Sequence, residues 1–307
     1  MRITRWLALG ASLLVLLGAC TTGGGSKPTV KIGSDGFYEA KLLAEIYAQA
    51  LEANGYQVDR TAIGMGARKV SAPALESGQI DLKPEYIGSG LGFYDATKIS
   101  HDPAAEAAAL QAILNGKGGG ITVLNYSPAS DNNAFVVRPE TAQKYNLVTM
   151  SDLGKVASQL KIGVATDCPT NPVCGAALKS AYGIDVSNAT LLSACDTPMV
   201  QALTGKTIDV GELCSTQPDI KINGWVVLQD DKGTQPAENI APLVRNDFLS
   251  KLGSNADAFK KILNDVSAAL DSATLEDMGK QVSVDKKDIA AVAKAWLQSK
   301  GFVPSSS

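Results

Sequence analysis

The residues able to do chemistry in this chain are four cysteines in its body, a lone histidine and carboxylates near the ends of short apolar runs. Cys168, Cys174, Cys195 and Cys214 are separated by five, twenty and eighteen residues. That spacing lacks the paired C-x2-C knuckles of a zinc ribbon, so four thiolate metal ligands are the weaker reading. In an oxidising compartment they make two disulfides, with three connectivities available. His101 is the single histidine among 307 residues. This excludes His-His zinc ligation and any second histidine in a catalytic relay. It stands in a polar loop beside Asp102, where solvent exposure is expected rather than catalysis. No nucleophile-elbow pentad is present. Gly64-x-Gly66 has no third glycine for a dinucleotide fingerprint, and Gly88-Ser89-Gly90-Leu91-Gly92 lacks the Gly-Lys-Ser/Thr of a phosphate loop. The first pair can still offer bare amides to a ligand carboxylate ahead of a helix. The second run reads equally well as a permissive turn or as a ligand contact.

These residues belong to an exported protein. Arg2 and Arg5 form a basic head, Leu7 to Leu17 is almost unbroken apolar, and Leu17-Gly18-Ala19-Cys20 closes the segment with small residues before a cysteine. A stretch of this design is a secretory signal. The tetrad resembles a bacterial lipobox, which makes residues 1–19 a signal peptide and Cys20 the lipidated N-terminus. Residues 20–29, with Thr21-Thr22-Gly23-Gly24-Gly25-Ser26, form a flexible tether. The full chain has 28 Lys+Arg against 31 Asp+Glu. Cleavage removes two arginines and no acids, leaving −5 over 288 residues. Such a mildly acidic body gives no reason to expect nucleic acid or an anionic membrane surface as a partner. Its attachment to the outer face of the cell membrane would rest on the lipid alone.

Two stretches of the chain share one pattern. Val30-Lys31-Ile32-Gly33-Ser34-Asp35 is echoed by Leu160-Lys161-Ile162-Gly163-Val164-Ala165-Thr166-Asp167, and Ala74 to Leu82 by Ala202 to Val210. The paired echoes imply a duplicated α/β unit. Between them, Glu39 to Ala53 is a helix stopped by Asn54-Gly55, Asp102-Pro103 opens another, and Thr197-Pro198 a third that Gly205 ends. Short strands at Ile121 to Leu124, Ala134 to Val137, Ile208 to Leu213 and Trp225 to Leu228 alternate with helices, the pattern of a mostly parallel sheet. Two C-terminal helices, carrying Phe259 to Leu270 and Ile289 to Leu297, have no counterpart in the second unit and are expected to return to the first. The fold class is therefore α/β with two lobes, residues 30–130 with 238–303 and residues 131–237. The crossings fall at Tyr126 to Asn133 and at about Gln235 to Arg245, and the hinge they form covers a ligand cleft.

In open α/β sheets the ligand lies beyond the carboxyl ends of the strands. That rule selects Asp35, Phe37, Gly66, Tyr86 and Ser89 from the first lobe. From the second it selects Asp167, Thr170, Asn171, Thr216 and Gln217, and the crossings add Asn132, Asn133 and Glu238. The same rule bears on the cysteines. If Thr190 to Leu192 and Ile208 to Leu213 are neighbouring parallel strands, Cys195 and Cys214 share a rim within disulfide reach. Cys168 and Cys174 then close a loop on that rim. A crossed pairing of Cys168 with Cys195 is also open.

The chain carries a further signature. Gly33-Ser34-x-x-Phe37-x-Glu39 and Pro73-Ala74-Leu75-Glu76-Ser77-Gly78-x-Ile80-Asp81-Leu82-x-Pro84-Glu85-Tyr86-x-Gly88 resemble the binding proteins of osmoprotectant ABC importers. Leu228-x-Asp230-Asp231-Lys232-Gly233 and Ala241-Pro242-Leu243-Val244-Arg245 are similar to later motifs of that family. The resemblance implies the type II periplasmic-binding-protein fold, a monomer without cofactor or metal, and a permease with its ATPase as partners. The solute would be of the glycine betaine, choline or carnitine type. One branch of the family cages a quaternary ammonium in tyrosine rings. Those four positions fall at Tyr86, Asn133, Cys214 and Glu238, so one ring is retained. The family's threonine falls at Ser89, its cleft lysine near Asp35 and its carboxylate-binding arginine near Asn171. Each cation–π contact is worth about 0.5–2 kcal/mol, so three missing rings are a serious loss, and acids gained with bases lost favour a cationic or polyhydroxylated solute over betaine. Asp35, Asp167 and Glu238 would supply the field. A secreted hydrolase would need a nucleophile and base converging in the cleft; an adhesive surface lipoprotein would show no convergent polar groups there.

Overall fold

A computed structural model describes residues 27–304. The apolar leader, Cys20 and the glycine-rich run through Ser26 lie outside the described residues. Ten strands divide between two five-stranded sheets. One holds β1 (Val30–Asp35), β2 (Val58–Gly66), β3 (Leu82–Tyr86), β4 (Ile121–Val123) and β10 (Ile240–Arg245), ordered β2-β1-β3-β10-β4. The other holds β5 (Asn133–Val137), β6 (Ile162–Ala165), β7 (Thr190–Leu192), β8 (Val210–Cys214) and β9 (Val226–Val227), ordered β7-β6-β8-β5-β9.

The sheets are mixed rather than mostly parallel. Pairings β2-β1-β3 and β7-β6-β8 are parallel, while β10 and β5 run antiparallel to both of their neighbours. Each of these two strands enters its sheet directly from a crossing between lobes. With no helical crossover to restore direction, the strand arrives reversed. The second crossing is also shorter than its polar composition implies, because Ile240–Arg245 is a strand buried along its whole length.

The repeated sequence pattern has a structural cause. Asp81 accepts from the backbone of Lys31 at 3.0 Å and donates its own amide to Lys31 at 2.7 Å. Asp209 makes the same pair with Lys161 at 3.0 and 2.7 Å. A Cβ at Gly33 would lie 2.6 Å from Ile80, and one at Gly163 would lie 2.6 Å from Ile208. The Gly and Ile-Asp of each repeat thus lock a strand to the turn before its neighbour. Arg245 and Arg138 occupy matching places, each donating to carbonyls of the helix-turn segment that leads into the neighbouring strand, β3 for one and β8 for the other.

Helix α1 (Tyr38–Ala53) is buried on nearly every face, since the sheet covers one side and the returning C-terminal helices another. Helices Ala256–Ala268 and Ile289–Ser299 place Phe259, Leu263, Val292 and Trp296 in the same core as β1 and α1. Helix α2 (Arg68–Ser77) follows β2, and α3 (Ile87–Asp95) follows β3. The glycine run from Gly88 to Gly92 is therefore helical, not a turn. Helix α4 (Pro103–Leu114) opens on Asp102, whose side chain accepts from the amide of Ala105 at 2.7 Å. The crossings lie side by side: the Asp131 amide donates to Glu238 at 3.1 Å, and Ser130 bridges Asn239. Glu106 of α4, fully buried, pins the second crossing by accepting from the Ala237 amide at 2.9 Å. Among the described residues, no helix is long and apolar enough to cross a membrane.

Candidate functional site

A cavity of about 370 Å³ opens between the two sheets at the carboxyl ends of their parallel strands. On the first lobe it is lined by Asp35, Phe37, Gly66, Arg68, Tyr86 and Ser89. Asp35 ends β1 and does not stand as a free acid. Its Oδ1 accepts from Nζ of Lys83 at 3.1 Å and from the Ser71 hydroxyl. Lys83 continues to Oε2 of Glu85 at 2.9 Å, and Oε1 of Glu85 accepts from Nε of Arg68 at 3.1 Å. Burial alone would raise the Glu85 carboxyl, but Arg68 and Lys83 hold it down to about 2. Burial likewise opposes the Arg68 charge, and the carboxylates of Glu85, Asp35 and Glu238 more than offset that. The alternating residues of β3 put Lys83 and Glu85 on one side of the sheet, so the network is built into the strand.

Tyr86 ends β3 and donates its hydroxyl to Glu39 Oε1 at 2.7 Å, with its ring tilted against Phe37 at 5.8 Å between centroids. Glu238, on the second crossing, accepts from the amide and hydroxyl of Ser89. Burial pushes its carboxyl up to about 7.

The second lobe lines the cavity with Asn133, Asp167, Asn171, Glu212 and both disulfides. Cys168 is bonded to Cys174 with Cα atoms 5.1 Å apart, and Cys195 to Cys214 at 4.9 Å. The strands before Cys195 and Cys214 are not neighbours, because β6 lies between β7 and β8. The bond is made from the segment after β7, where Cys195 takes a left-handed conformation (φ 56°). Glu212 sits in β8 with Oε2 accepting from the Ala165 amide at 2.8 Å. Its Oε1 meets only Sγ of Cys174, at 3.6 Å, and a disulfide sulfur has no proton to donate. Burial pushes this carboxyl up to about 7. Cys168, Cys174 and Glu212 are close enough to surround a metal, but the sulfurs are bonded to each other and offer no thiolate.

Four of the residues expected from the sequence stand outside the cavity. Asn132 spends its amide on the Pro236 carbonyl, at 3.1 Å, across the hinge. Thr170 is exposed, with its hydroxyl on the Asp167 carbonyl at 3.2 Å. Thr216 and Gln217 are buried beneath the hinge, because after Cys214 the chain turns toward the first crossing. Thr216 donates to Glu39 of α1 at 2.7 Å, and Gln217 faces Asp219 at 3.4 Å. The Gly64 amide is taken by Ser34 at 2.9 Å, so of that glycine pair only Gly66 lines the cavity. His101 is exposed, its Nδ1 2.8 Å from the Gln235 carbonyl.

Arg68, Asp131 and Glu212 line the cavity without having been selected. Arg68 opens α2 just past the end of β2, where the carboxyl-end rule stops one residue short. Glu212 had a readable signal, a charged residue inside Val210-Gly211-Glu212-Leu213, where an apolar strand must bury it.

Residues 28–299 match the family described as the substrate-binding domain of ABC-type glycine betaine transport systems. The chain is 28% identical to the glycine betaine-binding protein YehZ of Escherichia coli, over 96% of this chain and 98% of that one. It is 25% identical to the carnitine transport binding protein OpuCC of Listeria monocytogenes, over 97% of each. Lactococcal OpuAC, solved in its closed form with glycine betaine, shares the fold: TM-score 0.62 at 20% identity, over 89% of this chain and 96% of that one. Together with the two-lobed architecture, the family match over nearly the whole described chain places it plainly: the protein belongs to the substrate-binding-domain family of ABC-type glycine betaine transport systems.

Proposed function

We propose that the interlobe cavity captures a small osmoprotectant-class solute and that closing of the lobes presents it to an ABC permease and its ATPase. The observation that carries this is a cavity walled by both lobes and both crossings at once, so that a ligand inside it touches every part that must move. About 370 Å³ lies at the lower end of the ~300–1,000 Å³ of small-molecule sites. In this reading residues 30–130 with 238–303 form the fixed lobe and residues 131–237 the lobe that closes on it. Asp35, Tyr86 and Ser89 meet the ligand from one side, Asn133, Asp167 and Asn171 from the other, and Glu238 from the hinge. Cys20 anchors the monomeric protein to the outer face of the cell membrane.

The test is native mass spectrometry of freshly purified protein followed by small-angle scattering. A bound small solute should be seen, and its removal should enlarge the radius of gyration. No adduct and an unchanged radius would count against a closing receptor.

A further inference from the structure

Within that capture site, we infer that the ligand is a cation bearing N–H donors, a protonated amine or guanidinium, and that Glu212 is the residue that selects it. The inference rests on the reading of the cavity as a solute site. Its first support is an unsatisfied atom. Glu212 is 2% exposed and lines the cavity, yet its Oε1 has only a disulfide sulfur beside it. Buried carboxylate oxygens are nearly always met by donors, and here the oxygen without one belongs to a residue that lines the ligand space. A trimethylammonium presents only methyl groups to that oxygen, whereas an ammonium or guanidinium presents N–H.

The second support is the distribution of charge. Asp35 and Glu85 are neutralised by Lys83 and Arg68 within the first lobe. Among the described residues, no salt bridge reaches Glu212, Glu238 or Asp167. The cavity thus keeps a surplus of carboxyl groups on its second wall and at the hinge. The third is the shortage of rings, since Phe37 and Tyr86 are the aromatic side chains lining it. Two rings on one wall do not enclose a quaternary ammonium. Burial, with Asp167 adding to it at Glu212 and Arg68 opposing it at Glu238, pushes both carboxyls up to about 7, and a cation beside them favours their charged forms, so binding near neutral pH releases protons.

Calorimetry on the mature chain with agmatine, putrescine, glycine betaine, choline and sorbitol tests this. Agmatine or putrescine should bind at least tenfold more tightly than the other three. Titrations in two buffers of different ionisation heat should show protons released at pH 7. Glu212→Gln, which keeps an acceptor for the Ala165 amide, should weaken agmatine or putrescine binding tenfold or more. Glycine betaine, choline or sorbitol binding equally well would overturn the class assignment while leaving a solute receptor intact. Binding without proton release, indifference of the amine ligands to Glu212→Gln, or no binding by any of the five would overturn it as well. The adduct and scattering measurements judge the receptor reading independently.

Discussion

Asp35 shows how a site residue can be legible in type and misleading in role. It stands at the carboxyl end of β1, where a ligand acid is expected, but Lys83 and Ser71 consume one of its oxygens from behind. Removing its charge acts first on the protein. Lys83, 1% exposed in its side chain, would keep Glu85 as its one remaining charged partner beside the Ser71 hydroxyl at 2.8 Å. Asp35→Asn should therefore lower stability by about 1–3 kcal/mol, read from the denaturant midpoint of the ligand-free protein. An unchanged midpoint would show that Lys83 gains nothing from Asp35. The sequence made Tyr86 and Ser89 visible because turns after strands are recognisable by their chemistry, and Asn133 and Glu238 because the crossings between lobes are polar breaks in the pattern. Lys83 and Arg68 were not visible. Which base faces which acid depends on the β3 pleat and on the placing of α2, and a linear pattern records neither.

Between elements, a buried polar contact links α1 to the segment after β8 and to the first crossing. Glu39 is 1% exposed and accepts from Tyr86 and from Thr216, each at 2.7 Å. Asp131 faces it with Oδ2 lacking any donor, while Oδ1 accepts from the Thr216 amide at 2.9 Å. Burial, then the Asp131 charge, raise the Glu39 carboxyl well above its ordinary 4.5, and a protonated Glu39 supplies the donor that Asp131 needs. Thr216 belongs to the second sheet's side and Glu39 to the first, so in the proposed movement the pair is assembled when the lobes meet, and closing would take up a proton. The closed form is favoured fully below the ordinary glutamate value and loses ground as pH rises from about 4.5 toward the raised one, by up to about 1.4 kcal/mol per unit. Scattering of ligand-free protein across that window should show the radius growing with pH, and Glu39→Gln should flatten the trend. A radius that shrinks with rising pH would refute the shared proton. The helix and strand positions behind this contact were readable from caps and apolar periodicity. The order β7-β6-β8 was not, because strand adjacency follows from helix packing rather than from local signals.

At the scale of the molecule, the proposed capture requires that the two lobes approach closely and separate again, and a glycine of α3 lies where they meet. Gly92 of α3 faces Val173 of the second lobe, and a Cβ there would lie 2.7 Å from Val173 Cγ1. Val173 cannot yield easily, since it is 5% exposed and sits in the loop closed by Cys168–Cys174. Gly88, one turn earlier on α3, meets the second crossing in the same way, 2.5 Å from Pro236 Cβ. The glycine run thus serves lobe and hinge contact, where a side chain would act as a wedge. Gly92→Ala puts that wedge only in the closed form, because the open form separates the two surfaces. An overpacked contact costs about 1–3 kcal/mol. Charged against closing alone, that is a loss of roughly 5- to 150-fold in ligand affinity, with the thermal midpoint of ligand-free protein moving little. Calorimetry with the co-purified solute measures the first quantity and scattering the accompanying gain in radius. Reducing Cys168–Cys174 should restore part of the affinity by letting Val173 shift. If Gly92→Ala binds as tightly as the parent chain, α3 and the clamped loop are not what limits closure.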